Sequence, residues 1–155
     1  MSADMERIVR LEYGDERLKN VLELVWKVFL EFEAPCYPES GVEHFRSFLF
    51  GGELDGKLRD GSAQMYVCIS DDELCGAMAV RDEGHITLAF VPREYQRRGI
   101  GRRLFERIAE DNPGVCFTVN SSPVGVPFYS SLGFVPTDME RMEDGIFFTP
   151  MTRGI

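Results

Sequence analysis

The feature that most restricts the fold is a row of three apolar runs, each long enough for one strand and separated from the next by a short polar gap. The runs span residues 63–69, 74–80 and 85–91. Gaps this short connect antiparallel neighbours, because a parallel crossover needs about a dozen residues or more. The row therefore predicts an antiparallel meander, and the core must be built against that sheet.

The pattern then changes from strand to helix and back again. Ile100, Leu104 and Ile108 recur every four residues and predict a helix over about 100–111. The β-branched run at 115–119 predicts a buried strand, parallel to the last strand of the meander in a βαβ unit. A meander followed by such a unit predicts an α+β protein with a mixed sheet covered by helices.

The flanking segments predict the remaining elements. These are a strand at 5–13, an amphipathic helix at 16–33, a shorter helix opening at a Ser40-x-x-Glu43 capping box, a loop at 51–61, a short helix at 127–132, and closing strands at 134–137 and 146–150. No repeat, low-complexity tract or Pro/Gly-rich linker divides the chain. We therefore expect one domain over residues 1–155.

The net charge of −9 conceals a local basic segment. Residues 93–107 carry a net charge of +4, and the rest of the chain carries −13. So acidic a chain is a poor nucleic-acid binder, whereas a basic segment within it suits a small anionic ligand. The sequence has no long apolar run and begins with polar, acidic residues, so we expect a cytoplasmic protein without a membrane partner.

The cysteine and histidine residues predict no special chemistry. The cysteines Cys36, Cys68, Cys75 and Cys116 form no Cys-x-x-Cys pair, and three of them lie in apolar runs, so we expect ordinary buried thiols. With only two histidines in the chain, no metal site is expected.

The start of the 100–111 helix is suited to an anion. The first N–H groups of a helix lack internal partners and carry partial positive charge. Gly99 and Gly101 remove Cβ atoms that would hold a phosphate away, and Arg97, Arg98 and Arg102 add cationic donors. Alone, a Gly-x-Gly is equally consistent with a tight turn, and the common mononucleotide and dinucleotide motifs are absent.

Two motifs together narrow the interpretation. The segment Gln96-Arg97-Arg98-Gly99-Ile100-Gly101 resembles the acetyl-CoA signature of the GNAT superfamily, Gln/Arg-x-x-Gly-x-Gly/Ala. Downstream, Phe128-Tyr129-Ser130-Ser131-Leu132-Gly133-Phe134 is similar to the second hallmark of the family, Phe-Tyr-x-x-x-Gly-Phe. The resemblance covers residues 62–151 well, and residues 1–61 only in the order of elements.

The resemblance implies a fold and a cofactor site. The fold is a bent mixed sheet with about four helices, in which the parallel strands 85–91 and 115–120 splay apart around acetyl-CoA. Backbone groups of the first strand would pair with the pantetheine arm, and the segment after it would hold the pyrophosphate. The implied cofactor residues are Phe90, Val91, Gln96, Arg97, Arg98, Gly99, Ile100, Gly101, Arg102 and Asn120.

The resemblance also implies the residues for acetyl transfer. Tyr129 matches the family tyrosine near the sulfur, and Asn120 lies at the end of the second splayed strand, where it could equally be a helix cap. Glu31 and Glu33 lie where the family forms its acceptor pocket, and of these Glu33 is the preferred candidate base. His85 is a further candidate, although a histidine at the start of a strand is often only an edge residue.

The implied activity is acetyl transfer from acetyl-CoA to a primary amine of a small molecule or peptide. The acidic remainder of the chain weakly favours a cationic acceptor. Two alternatives stay open: a catalytically silent acetyl-CoA-binding module of the same fold, and a nucleotide-binding protein. Dimers are common among proteins of this family, so a homodimer is a further expectation.

Overall fold

The computed structural model describes residues 6–154, which form one mixed sheet between two layers of helices. The strands are β1 (Arg7–Leu11), β2 (Ala63–Ser70), β3 (Glu73–Arg81), β4 (His85–Phe90), β5 (Phe117–Ser121), β6 (Val135–Pro136), β7 (Arg141–Glu143) and β8 (Ile146–Arg153). The α-helices are α1 (Leu18–Phe32), α2 (Glu39–Phe50), α3 (Glu53–Asp60), α4 (Ile100–Asp111) and α5 (Val126–Ser131). Within the described range no helix is both long and apolar enough to cross a membrane.

The sheet has the order β1-β2-β3-β4-β5-β8-β6, with β7 paired to β8. The strands from β1 to β4 are antiparallel neighbours, which confirms the meander. Strands β4 and β5 are parallel and pair at only two positions, His85 with Thr118 and Ile86 with Val119. Beyond Ile86 the two strands separate, so the splayed pair and the mixed α+β fold are confirmed.

Alternation along the strands divides the core between the two faces of the sheet. In β2, Tyr66 and Cys68 pack with the α4 layer, whereas Met65, Val67 and Ile69 pack with α1, α2 and α3. The apolar stripe of α4 buries Ile100, Leu104, Phe105 and Ile108 against the first face. The gap between β4 and β5 therefore opens between the two apolar cores, one on each face of the sheet.

Some predicted elements are wrong. Residues 51–61 are not a loop, because Leu54 is buried and supports the short helix α3. The capping box does not form: α2 begins at Glu39 after Pro38, which places Ser40 inside the first turn. The 115–119 strand instead spans 117–121. The hairpin strand β7 was not predicted, and Met5 of the first predicted strand lies outside the described residues.

The cysteine prediction is correct for two of the four residues. Cys68 and Cys75 are fully buried side by side, with their sulfur atoms 3.1 Å apart. Cys36 and Cys116 are exposed. Cys36 lies in the 3₁₀ turn after α1, and Cys116 precedes β5, so neither is covered by the sheet.

Candidate functional site

A cavity of about 950 Å³ occupies the gap between β4 and β5. Its lining includes Leu104 from the helix layer on one face of the sheet and Phe29 from the layer on the other. The cavity therefore passes through the splay from one layer to the other. Ligand pockets reach about 300–1,000 Å³, so this one is large enough for two reactants that meet in the middle.

The helix α4 presents an uncapped N-terminus at one end of the cavity. Gly99 is its N-cap residue, and within the described chain no side chain caps the helix and no acid lies in its first turn. The free N–H groups and the helix dipole favour an anion at this point. This end of the cavity can therefore accept a phosphate group.

The two glycines of the loop have different structural reasons. Gly99 has φ +78° and open space where a Cβ would lie, so a side chain there would project into the room available to an anion. At Gly101 a Cβ would lie 2.8 Å from the Phe128 ring, so this glycine permits close packing of α4 on α5. Gly99 is consequently the cleaner position for testing ligand binding.

The predicted arginines separate into two groups. Arg97 and Arg102 line the cavity, and Arg102 also donates a 2.8 Å hydrogen bond to the carbonyl oxygen of Ser131. Arg97 has φ +67°, a left-handed conformation that costs about 1–2 kcal/mol for a residue with a side chain. Arg98 does not line the cavity, because it pairs with Glu6 at 3.5 Å and stacks over the Tyr95 ring.

The other predicted cofactor residues offer mainly backbone groups. The side chains of Ile100 and Phe90 are buried in the two cores, on opposite faces of the sheet. Gln96 donates a 2.9 Å hydrogen bond from Nε2 to the carbonyl oxygen of Val91, which ties the loop to the end of β4. Asn120 is exposed and lines the cavity from the part of β5 that pairs with β8 but no longer with β4.

Glu33 lies in the cavity immediately beyond the end of α1. Its N–H group still donates to the carbonyl oxygen of Phe29 at 2.9 Å, and Pro35 in the following 3₁₀ turn prevents the helix from continuing. Burial raises the pKa of Glu33 from 4.5 to about 7, and the neighbouring Ser122 hydroxyl partly offsets that rise. A carboxyl group with a pKa near neutrality can both accept and release a proton at physiological pH.

Tyr129 is 7% exposed, and its ring packs edge-on against Phe128 and Phe134. Tyr129 lines the cavity. Burial raises the pKa of Tyr129, and the negative charge of Glu33 raises it further. The two predicted reactive groups therefore lie close enough to interact in one cavity.

The alternative base candidates lie elsewhere. Glu31 is on the outer side of α1, where its carboxylate bonds Nε of Arg93 at 2.7 Å. His85 lines the cavity at the paired end of β4, and its Nδ1 is 2.8 Å from the Thr118 hydroxyl. Burial lowers the pKa of His85 to about 4, so it is uncharged near neutral pH.

Ser122 and Tyr37 also contribute to the site, although sequence reasoning did not select them. The Ser122 Oγ accepts a 3.1 Å hydrogen bond from the N–H group of Gly125, which fixes the hydroxyl beside Glu33. The Tyr37 ring stacks on Phe29 and lines the cavity, and burial raises its pKa. The Ser-Ser-Pro sequence at 121–123 indicated a turn, but nothing in it indicated a contact with residue 33.

No group of three or more His, Cys, Asp or Glu side chains between residues 6 and 154 is arranged to hold a metal ion. The titratable residues of the cavity are available for acid–base chemistry. The site therefore combines a helix end without a side-chain cap with a carboxyl–phenol pair.

Comparison with solved structures confirms the fold. The PaiA N-acetyltransferase from Thermoplasma acidophilum, in complex with coenzyme A, has a TM-score of 0.76 at 20% identity, covering 97% of this chain and 99% of that one. A GCN5-related N-acetyltransferase from Rhodopseudomonas palustris has a TM-score of 0.75 at 18% identity, covering 100% and 99%. ElaA from Escherichia coli has a TM-score of 0.66 at 18% identity, covering 96% and 99%.

Sequence comparison identifies the family. No curated protein matches the chain at a significant level of similarity. The family model described as "Acetyltransferase (GNAT) domain" matches residues 33–154, which is most of the chain and includes both predicted motifs. The chain therefore belongs to the GNAT acetyltransferase family.

Proposed function

We propose that this protein transfers an acetyl group from acetyl-CoA to a primary amine by direct attack in a ternary complex. The observation that carries the proposal is the pair formed by Glu33 and Tyr129 inside a cavity that also receives the uncapped N-terminus of α4. One end of the cavity suits a phosphate and the middle suits proton transfer. Family membership supports the same assignment.

The residues at the α4 end fit the pyrophosphate of CoA. The empty space at Gly99 and the uncapped N–H groups would receive the phosphate oxygens, and Arg97 and Arg102 would add cationic donors. Beyond Ile86 the edge of β4 that faces β5 has no paired strand, so backbone groups of Phe90 and of Val91, which follows it, would be available to a pantetheine arm. Acetyl-CoA, when bound, supplies the thioester carbonyl that the amine attacks.

Glu33 is proposed as the base. An alkyl ammonium has a pKa of about 10.4 and must lose a proton before its nitrogen can attack. With its pKa of about 7, Glu33 is about 3.4 units below the amine, whereas at 4.5 it would be about 6 units below. Each unit is worth about 1.36 kcal/mol, so burial of Glu33 lowers the energy of this proton transfer by about 3 kcal/mol.

Tyr129 is proposed to stabilise the leaving thiolate. Because its pKa is raised, the phenol remains protonated and is a weak acid, which favours donation of a hydrogen bond over complete transfer of the proton. In the balanced step the ammonium loses one proton to Glu33, the neutral nitrogen attacks the thioester carbonyl to form the C–N bond, and the C–S bond breaks. The second nitrogen proton passes through solvent to the thiolate, and Glu33 returns its proton to solvent.

Measurement of thiol release from acetyl-CoA across a panel of primary amines tests the proposal. We expect acetyl-CoA to bind and thiol to appear only when an amine is present. Binding of acetyl-CoA without thiol release for every amine would instead identify a silent acetyl-CoA-binding module. Thermal stabilisation by ATP or NAD and not by CoA would identify a nucleotide-binding protein.

A further inference from the structure

The arginines around the N-terminus of α4 differ in whether a carboxylate compensates their charge. Arg97 and Arg102 line the cavity, and within residues 6–154 neither forms an ion pair. Arg98 and Arg103 do not line the cavity, and both pair with Glu6. The cavity arginines are therefore the ones available to an anion, while the two outer arginines are held by one carboxylate.

Glu6 is the residue that precedes β1, and its side chain is only 13% exposed. Its two carboxylate oxygens accept hydrogen bonds from different guanidinium groups. Oε2 accepts from Arg98 at 3.5 Å, and Oε1 accepts from Arg103. Such hydrogen bonds are strengthened by charge, and removing a partner from a largely buried ion pair is costly. Glu6 therefore fixes both arginine side chains.

The bridge through Glu6 spans the junction between the loop and α4. Arg98 immediately precedes the N-cap residue Gly99, and the N–H group of Arg103 donates to the carbonyl oxygen of Gly99 at 3.0 Å, which closes the first turn. One turn further along, Arg107 donates a 3.1 Å hydrogen bond to the carbonyl oxygen of Ile8 in β1. The start of α4 is therefore tied to the start of β1 at two successive turns.

Tyr95 restrains Arg98 from a second direction. The guanidinium group of Arg98 lies 5.2 Å from the centre of the Tyr95 ring, which is the distance of a cation–π contact. The Tyr95 hydroxyl donates a 2.6 Å hydrogen bond to the carboxylate of Glu73, the first residue of β3. Arg98 is therefore held between a carboxylate beside β1 and an aromatic ring that is tied to β3.

These restraints account for the unusual backbone of Arg97. Its φ of +67° is a left-handed conformation, which persists only where the surroundings fix the chain on both sides. Before it, Gln96 donates a 2.9 Å hydrogen bond to the carbonyl oxygen of Val91, and after it Arg98 is held by its pairing. The chain turns between these two fixed residues, so Arg97 lines the cavity and Arg98 does not.

We propose that Glu6 is a positioning residue for cofactor binding. Its bridge to Arg98 and Arg103 holds the uncapped end of α4 and the side chain of Arg97 in the arrangement that receives the pyrophosphate. This inference rests on the proposed acetyltransferase function and adds to it a residue that touches no substrate. Neither of the two sequence motifs includes Glu6, which lies 90 positions before Gln96.

The substitution Glu6→Gln separates positioning from a simple effect of charge. If only the charge mattered, removal of an anion near the pyrophosphate site would strengthen CoA binding and would free Arg98 to reach the phosphates. If Glu6 positions the loop, its loss leaves the loop to be ordered when CoA binds. We expect the dissociation constant of CoA, measured by calorimetry, to rise about fivefold. KM for acetyl-CoA should rise by the same factor, while kcat at saturating acetyl-CoA is unchanged.

Asp111→Asn is the matched control at the other end of α4. Its carboxylate also has two donors, Arg107 at 3.2 Å and the Tyr66 hydroxyl at 2.8 Å. Circular dichroism establishes that both variants are folded, and Asp111→Asn should bind CoA as the wild type does. Unchanged or tighter CoA binding by Glu6→Gln would overturn the proposal. Equal weakening by both variants would also overturn it, because the effect would then be a general loss of stability.

Arg98→Gln tests whether Arg98 acts through Glu6. In about 0.15 M salt, which screens charges that do not contact the ligand, it should weaken CoA binding in the wild-type background and cause no further loss in Glu6→Gln. A further loss there would show that Arg98 itself contacts the phosphates, which would contradict the proposal. A wild-type protein that does not bind CoA would overturn the proposed function together with this inference, whereas the other outcomes concern Glu6 alone.

Discussion

The substitution Glu33→Gln should stabilise the protein while it destroys activity. In the folded state the pKa of Glu33 is about 7, against 4.5 for the exposed group. The folded carboxyl group therefore holds its proton more tightly than the unfolded one. As pH rises from about 4.5 to about 7, the unfolded state loses its proton first, and the free energy of unfolding falls.

Glutamine cannot ionise and so escapes this loss. With the two pKa values above, the free energy of unfolding of the wild-type protein is lower than at acidic pH, where Glu33 is protonated in both states, by about 1.4 kcal/mol at pH 5.5 and about 3 kcal/mol at pH 8. Urea denaturation at these two pH values should show Glu33→Gln more stable than wild type by about those amounts, so the advantage grows with pH. A stability difference that is the same at both pH values, or has the opposite sign, would refute the buried-carboxyl interpretation.

The activity of the same variant should move in the opposite direction. The wild-type profile of kcat/KM should rise through an apparent pKa of about 7, because Glu33 must be ionised to act as a base. In Glu33→Gln this rise of kcat/KM with pH should disappear, and kcat/KM at pH 8 should be about a hundredfold lower than in the wild type. Glu31→Gln, two residues earlier on the outer face of α1, is the matched control and should retain both the rise and the rate.

Three further substitutions test the other parts of the site. Tyr129→Phe should lower kcat tenfold or more with less than a twofold change in the dissociation constant of acetyl-CoA, and an unchanged kcat would leave the residue a packing role. Ser122→Ala removes a hydrogen bond that lowers the pKa of Glu33, so the apparent pKa of the kcat/KM profile should move above 7. An unchanged apparent pKa would show that Ser122 does not influence the ionisation of Glu33. Gly99→Glu should abolish acetyl-CoA binding measured by calorimetry. Gly61→Glu, at a glycine that also has a positive φ and open space around it, is the control and should bind acetyl-CoA normally. Equal binding by both variants would show that the loop at Gly99 does not hold the cofactor.

The central sheet could be predicted from the sequence because its signal is local. The meander and α4 have apolar periods long enough to identify them, and the βαβ unit follows from their order. Local sequence patterns do not predict an element that is stabilised mainly by tertiary contacts. In α3 only Leu54 is buried, and the three residues of β7 are all exposed and pair only with β8.

The site could be predicted only in part for the same reason. The loop and Tyr129 lie in recognisable motifs, so their positions followed from the sequence. Glu31 and Glu33 are indistinguishable in the sequence, and their difference arises because one meets Arg93, 62 positions away, while the other turns into the cavity. Arg98 was assigned to the cofactor, but Glu6, 92 positions away, draws it off the cavity wall.

Analysis of all products of one reaction tests the central claim most directly. Enzyme, acetyl-CoA and the primary amine that gives the fastest thiol release are mixed, and free CoA, acetylated amine and intact protein are quantified by mass spectrometry. Direct transfer predicts equal amounts of CoA and acetylated amine, with unmodified protein, and both products greatly reduced in Glu33→Gln. Release of CoA without acetylated amine, or a stable acetyl group on the protein, would contradict direct attack by the amine in this cavity.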